Sequence, residues 1–376
     1  MIEPAPGRIV VFGATGYAGG LAVEAMVRRG LRPVLAARSA TKLAELAEGY
    51  GELDYQVADV ADPDSVRALV GPGDVLVTGV GPFERVGWVA AEAAARVGAH
   101  YVDSTGEVGF VRELHRRHDA QARQTGSMMM PAFGYDYVPG VLAGSIALDR
   151  AGDHAYSVDV GYFATGSLRN GLSQGTRKTM MDGLILPVAA FDDGVVVDRR
   201  AAQDVVRFPV GGGMRSAILA TGTEVLELPR FYPRVGRVRV FNGWFPELAR
   251  VMQIASFGAS LIARWDLSRR ALESASSRLV GPPGGPDESA RAGIRGLAVA
   301  VVRSRGGEEL TEVVVEGPSP YSVTAELMAM AADRLSRGQG KAAGVVGPIS
   351  GLGADELAAA CSGLGLKPVE SEQHSH

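Results

Sequence analysis

Along the first 140 residues, short unbroken apolar runs alternate with longer stretches in which apolar side chains recur every three or four positions. "IVVF" leads into a helical pattern over 17–29, "PVLAA" into one over 40–48, and "YQVA" into one opened by "DPDSV". "DVLVTGV" is followed by a helix over 87–97, and "HYVDS" by one over 107–125. Short buried strands separated by amphipathic helices at this spacing predict βαβ units on a parallel sheet. The helix starts agree. Asp62 is a natural N-cap, with Pro63 at the first helical position and Asp64 in the first turn, where negative charge suits the helix dipole. Ser39 before "ATKLAEL" is a second such cap.

The texture changes after about residue 151. "AYSVDVGYFATG", "GVVVDRR", "DVVRFPVGG", "EVLELPRF" and "RVRVFNGWF" read as strands punctuated by Gly and Pro, with helical segments at 174–190 and 247–280. Gly306-Gly307 between two β-rich runs is a hairpin signal. From 319 to 366 the pattern returns to helix, and this ending is expected to pack back on the first domain. The fold class is therefore α/β: a Rossmann-type doubly wound parallel sheet plus a second α+β domain with a largely antiparallel sheet. The boundaries are 1–145 for the first domain, completed by 319–376, and 146–318 for a substrate and dimerisation domain.

Composition narrows the function. The chain has 376 residues, long enough for two cores, and carries 38 Lys+Arg against 42 Asp+Glu with the arginines scattered. That balance speaks against nucleic acid and for a small-molecule partner. One cysteine, Cys361, excludes an intramolecular disulfide, and no Cys/His cluster has metal-ligand spacing. A cytoplasmic, metal-free protein is expected. The start, "MIEPAPGRIVVFG", has no charged segment followed by an apolar one and reads as a mature N-terminus. No stretch reaches the length of a membrane span. The nearest, "LARVMQIASFGASLIA" at 248–263, reads as a buried or interface helix. Together with the Met-rich helix over 321–337 (Met328, Met330) it suggests a homodimer.

The stretch "VVFGATGYAGG", Val10 to Gly20, carries the chemistry. Gly13, Gly16 and Gly19 lie where a strand ends and a helix begins, with Thr15 and Tyr17 between them. A nucleotide pyrophosphate needs backbone N–H groups at a helix N-terminus with no Cβ in the way. The spacing is G-x-x-G-x-x-G, and the bland alternative is a tight βα turn. The end of the second strand separates the two. An NAD site has an acid there to accept from the ribose 2′-OH, whereas "LAARSATK" offers Arg38, Ser39 and Lys42. A guanidinium binds a 2′-phosphate and an acid repels it, so the expected cofactor is NADP. Arg38 as a solvated surface charge is the alternative. Asp59 ends the third strand, where it would border the adenine or simply serve a turn. Gly81 and Pro82, after the fourth strand, would let the chain pass close to the nicotinamide half, with Phe83 packing on it. The fifth strand delivers Asp103, Ser104, Thr105 and Glu107 to the same edge, and "FGYDYVPG" places Tyr135, Asp136 and Tyr137 near the junction of the domains. Asp136 just ahead of a Pro-started helix is also ordinary capping chemistry.

"FGATGYAGG", "VGPFERVG", "HYVDSTGE" and "PAFGYDYVPG", in this order and spacing, resemble the saccharopine dehydrogenase-like family of NADP-binding oxidoreductases, nearest its actinobacterial branch with the trans-acting enoyl reductases. "NGLSQGTRKTMM" is similar to that family's Ser/Gly-rich segment. The resemblance implies a biosynthetic reductase in which Gly13, Gly16 and Gly19 form the dinucleotide turn, Arg38 meets the 2′-phosphate, and Gly81, Pro82 and Phe83 form the nicotinamide-side loop. It departs at "GYDYVP", where the family often has Gly-Phe-Asp-Ser-Val-Pro, and the two tyrosines would alter substrate choice.

Tyr135, Tyr137 and Lys178 are the available proton donors, and Asp136 would orient one of them; Tyr135, Asp136 and Lys178 are the candidate catalytic set. The placeable side chains near the site are neutral or aromatic, with only Arg177 and Lys178 cationic, too few for a substrate bearing several carboxylates. A conjugated C=C in a lipid- or polyketide-like substrate, free or linked through a thioester or acyl carrier, is the first expectation. Reduction of a C=N bond in a saccharopine-type substrate, or a non-catalytic NADPH sensor or scaffold, are the alternatives.

Overall fold

The computed structural model describes residues 6–166, 172–177, 186–262 and 284–369. The chain divides into two compact units, Met1–Tyr135 with Tyr321–Leu357, and Asp136–Pro320 with Ala358–His376.

The first unit is built on β1 (Ile9–Phe12), β2 (Val34–Ala37), β3 (Tyr55–Val57), β4 (Val75–Thr78), β5 (His100–Asp103) and β6 (Met128–Met130), joined by the short strand Gly344–Val345. All pair in parallel, in the order 344–345, β6, β5, β4, β1, β2, β3. The sequences "IVVF" and "VLVT" are buried throughout, as central strands covered on both faces require. Helices α1 (Tyr17–Arg28), α2 (Ala40–Gly49), α3 (Pro63–Arg67), α4 (Phe83–Val86), α5 (Trp88–Val97) and α6 (Val108–Thr125) connect them. Strand order reverses between β1 and β4, and doubly wound sheets bind ligands outside the carboxyl ends of the strands at such a point.

The helix Pro320–Ser336 returns to this unit. Arg28, the last residue of α1, and Arg29 just past it hold Glu326, at 2.8 Å each. Met328 and Met330, expected to enlarge the exposed apolar surface, are buried instead. The helix therefore offers no Met-rich interface; its methionines fill the core.

The second unit contains β7 (Ser157–Thr165), β8 (Val188–Asp192), β9 (Val195–Arg199), β10 (Val205–Val210), β11 (Gly213–Ala220), β12 (Arg237–Asn242), β13 (Arg295–Arg303) and β14 (Glu309–Gly317). Their main order is β10, β11, β12, β7, β13, β14 and then the strand Lys367–Val369, with β8 on β12 and β9 on β8. Among the described residues, only β7 and β12 pair in parallel. The hairpin at Gly306-Gly307 joins β13 to β14, and α7 (Val138–Ala151) packs on these strands and β7. Residues from 358 onward group with this unit, through the pairing of Lys367–Val369 with β14, so the return to the first unit covers 321–357 rather than all of 319–376.

Two segments differ from their reading in sequence. "EVLELPRF" is a helix, Glu224–Phe231, which buries Glu224, Val225, Glu227 and Leu228 on one side. The helix expected at 174–190 is seen at 174–177, while Val188–Asp192 is strand β8; residues 178–185 lie outside the described residues. The helical reading over 247–280 is met by the helix Ala249–Ile262, while residues 263–280 lie outside the described residues.

Candidate functional site

The glycine turn follows β1 at the carboxyl edge. Gly13 has φ +88°, a conformation that favours glycine, and its N–H donates to the Ala36 carbonyl at 2.8 Å, binding the turn to β2. A Cβ on Gly13 would sit 2.8 Å from Val80, and one on Gly19 would overlap the Gly13 carbonyl oxygen. These two glycines are fixed by packing within the turn. Gly16 differs: a Cβ there meets only the Gly13 oxygen, at 3.1 Å. Gly16 is the N-cap of α1, with no side-chain cap and no acid in the first turn. The first backbone N–H groups of a twelve-residue helix therefore face a glycine-lined, solvent-accessible edge beside Thr15, an arrangement suited to a phosphate. Tyr17 opens the helix and its ring meets Tyr321 edge-on, centroids 5.4 Å apart. Tyr321 lies far away in sequence, and no local signal marked it.

At the end of β2, Arg38 is exposed and makes no ion pair among the described residues. Ser39 caps α2, accepting from the Lys42 N–H at 3.4 Å, and Lys42 is exposed on the first turn. No acid occupies that first turn. Asp59, past β3, accepts from the Ala61 N–H at 2.9 Å in a local turn, so one carboxylate oxygen is already engaged.

The loops after β4 and β5 brace each other. Gly81-Pro82 is a cis peptide. Glu107 accepts from the N–H groups of Phe83 and Glu84, both at 2.9 Å, and so caps α4. Its own N–H donates to Thr105 Oγ1 at 3.0 Å, and Thr105 N–H to Asp103 Oδ1 at 2.8 Å. Asp103 also accepts from Ala132 N–H at 2.8 Å, tying the β5 and β6 ends together. It is fully buried, and desolvation raises its carboxyl to about 6 against the two backbone donors. The polar cluster read after β5 thus positions backbone. Phe83, expected to pack on a nicotinamide, is instead buried against Phe110, ring centroids 5.6 Å apart. With Glu107 fixing its backbone, the ring points into the core; only Gly81 and Pro82 of that trio remain at the edge.

Tyr135 ends the first unit. It is buried, and its N–H donates to Thr324 Oγ1 at 3.0 Å. Asp136 begins the second unit; part of its surface is exposed, while the protein packed around it raises its carboxyl to about 6. Tyr137 is buried and its phenol donates to Glu227 at 3.1 Å, so it is not a free proton donor. Lys178 lies outside the described residues. Arg177 is described, and its guanidinium donates to the Leu172 carbonyl at 2.7 Å. The structure thus gathers Gly13, Thr15, Gly16, Tyr17, Gly19, Arg38, Ser39, Lys42, Asp59, Gly81 and Pro82 along one sheet edge, with Tyr135 closing the same unit.

Residues 9–130 match the saccharopine dehydrogenase NADP binding domain. A trans-acting enoyl reductase of Mycobacterium leprae is 38% identical over 137 residues, covering 35% of this chain and 33% of that protein. A lipid droplet localized protein of Caenorhabditis elegans is 28% identical over 189 residues, covering 47% of this chain and 44% of its own. These matched stretches span less than half the length of either relative. Apo saccharopine dehydrogenase (L-Glu forming) from Saccharomyces cerevisiae has a similar fold, with a TM-score of 0.60 at 14% identity over 96% of this chain and 99% of that one. Among the described residues, no helix is long and apolar enough to cross a membrane.

Proposed function

With residues 9–130 as a saccharopine dehydrogenase-type NADP binding domain, we propose that the protein is an NADPH-dependent reductase of a conjugated carbon–carbon double bond in an apolar substrate, carried as a thioester or on an acyl carrier. The observation that carries the cofactor assignment is the uncapped helix start at Gly16, together with an exposed Arg38 that makes no ion pair among the described residues and no acid at the end of β2. Gly13, Thr15, Gly16, Tyr17 and Gly19 cradle the pyrophosphate; Arg38, Ser39 and Lys42 hold the 2′-phosphate; Asp59 borders the adenine; Gly81 and Pro82 line the nicotinamide side. Bound NADPH supplies the hydride, here to the β-carbon of the substrate.

The chain's own contribution is to exclude water and to protonate the α-carbon. Of the candidate donors, Tyr135 is buried and Tyr137 is engaged by Glu227, whereas Asp136 is accessible and keeps its proton to a higher pH than an ordinary carboxyl. Asp136 is our choice of acid. The trans-acting enoyl reductase named among the relatives supports C=C over C=N reduction. A homodimer is part of the proposal, because Val251, Ile254 and Phe257 of the helix Ala249–Ile262 stand 62%, 73% and 55% exposed, with Leu248 just ahead of it 50% exposed. NADPH as reductant suits a cytoplasmic setting.

The test follows NADPH absorbance with enoyl thioesters and cyclic imines in parallel. Turnover of enoyl thioesters is expected. Turnover of imines alone overturns the substrate assignment, and tight NADPH binding with no turnover of either favours a sensor.

A further inference from the structure

Helix α4 has four residues, and a single turn of helix closes too few backbone bonds to fix its own place. Its position comes from neighbours within the first unit. Glu107 accepts the Phe83 N–H at Oε1 and the Glu84 N–H at Oε2, both at 2.9 Å. These are charge-assisted bonds from two consecutive donors to one carboxylate. Trp88 Nε1 donates to the Glu84 carbonyl at 2.8 Å, and a Cβ on Gly109 would overlap Glu84 Oε1, so the turn is in contact with the start of α6. A Cβ on Gly81 would sit 3.3 Å from the Phe83 ring, and that ring is buried against Phe110. The exposed Gly81 therefore backs on the Phe83 ring, and the backbone two residues further on is clamped by Glu107.

Glu107 is itself anchored to the sheet. Its N–H donates to Thr105 Oγ1 at 3.0 Å, the Thr105 N–H to Asp103 Oδ1 at 2.8 Å, and the same oxygen takes the Ala132 N–H at 2.8 Å. The ends of β5 and β6 thereby fix the loop after β4 through one side chain. At α1 the first N–H groups have no side-chain cap, whereas those of α4 are taken by the protein's own carboxylate. A pyrophosphate is drawn to the open helix start, and the loop after β4 contributes shape instead.

We propose that Glu107 is a positioning residue for the reactive half of the cofactor. By clamping the start of α4 it sets where Gly81 and Pro82 stand, and so governs how the nicotinamide half of NADPH is held, without acting on the adenine half. The inference rests on the reading of Gly81 and Pro82 as the nicotinamide side. The adenine half belongs to Arg38, Ser39 and Lys42 past β2, which β1 separates from β4. A glutamine at 107 would accept through one carbonyl oxygen and turn an NH2 toward the second N–H, so one bond is lost and two donors meet.

The test is calorimetric titration of the full chain with NADPH and with 2′,5′-ADP, which carries the 2′-phosphate but no nicotinamide. In the parent, NADPH is expected to bind more tightly than 2′,5′-ADP, and its nicotinamide emission to change on binding. Glu107→Gln should lower NADPH affinity about tenfold, leave 2′,5′-ADP affinity within about twofold, and diminish the emission change. Thr105→Val keeps the carboxylate but removes the bond that seats it; it should shift the ratio of the two affinities the same way, by about threefold, and stands in if Glu107→Gln does not fold. A ratio left unchanged, or two affinities that fall in parallel, overturns the proposal. Hydrogen exchange on the parent needs no variant: exchange over 79–86 should be slowed by NADPH and not by 2′,5′-ADP. A parent whose exchange over 79–86 ignores NADPH, or is slowed equally by 2′,5′-ADP, refutes the reading of Gly81 and Pro82 and the proposal with it. Slowing by NADPH in the parent with an unchanged affinity ratio in the variants refutes the role of Glu107 alone.

Discussion

Gly19 lies directly against the Gly13 carbonyl, so close that a Cβ on Gly19 would overlap its oxygen, while a Cβ on Gly16 meets the same oxygen at 3.1 Å. Two glycines of one turn therefore have different jobs. Gly19→Ala is expected to cost about 1–3 kcal/mol in urea unfolding, because the turn must open. Gly16→Val is expected to melt within a few degrees of the parent and to lose the stabilisation that NADPH confers. A Gly16→Val protein stabilised by NADPH as much as the parent contradicts a phosphate at this turn.

Arg38 sets the second expectation. NADPH should bind more tightly than NADH by at least about 1.4 kcal/mol, one decade in affinity, and Arg38→Asp should abolish or reverse the preference. Titration calorimetry with the two cofactors measures it. Equal affinities in the parent protein contradict the 2′-phosphate assignment.

Much of this edge is legible in the sequence because backbone chemistry writes it. Gly13 and Gly19 are required by geometry, and the unbroken apolar runs of β1 and β4 are what a doubly covered parallel strand demands. The failures have equally local causes. "EVLELPRF" reads as a strand beside Pro229, although its polar residues Glu224, Glu227 and Arg230 recur every third position as on a helix; Glu224 and Glu227 face inward with Val225 and Leu228. Periodicity cannot reveal a buried acid whose partner, Tyr162, lies 62 residues away. Phe83 looks like a ligand-facing ring until Glu107, 24 residues on, is seen to hold its backbone N–H. Tyr321 is invisible for the same reason: it reaches Tyr17 only through the return of a distant helix.

Above the range in which ordinary carboxyls titrate, stability should fall as pH rises. Asp103 and Asp136 are raised from 3.8 to about 6, and Glu224 from 4.5 to about 8. Each unfolded carboxyl releases its proton at the lower value, so between the two values the folded state holds more protons. The stability these groups contribute is complete below the ordinary carboxyl values and is lost as pH climbs through about 6 and then about 8. Glu224→Gln should remove the upper part of that decline in urea unfolding measured across the range. A parent whose stability is flat from neutral to alkaline pH contradicts the buried neutral acid.

The apolar stripe of Leu248, Val251, Ile254 and Phe257 gives an expectation about assembly. Light scattering at micromolar concentration should report a dimer, and Ile254→Arg should shift it to monomer without loss of NADPH binding. A monomeric parent contradicts the dimer.

The most direct measurement follows the hydride itself. NADPH carrying deuterium at nicotinamide C4 is incubated with the protein and an enoyl thioester, and the product is read by mass spectrometry and NMR. The account predicts one deuterium at the β-carbon, with the α-carbon hydrogen drawn from solvent. A saturated product without deuterium, or label passed only to an imine substrate, would contradict NADPH-dependent enoyl reduction.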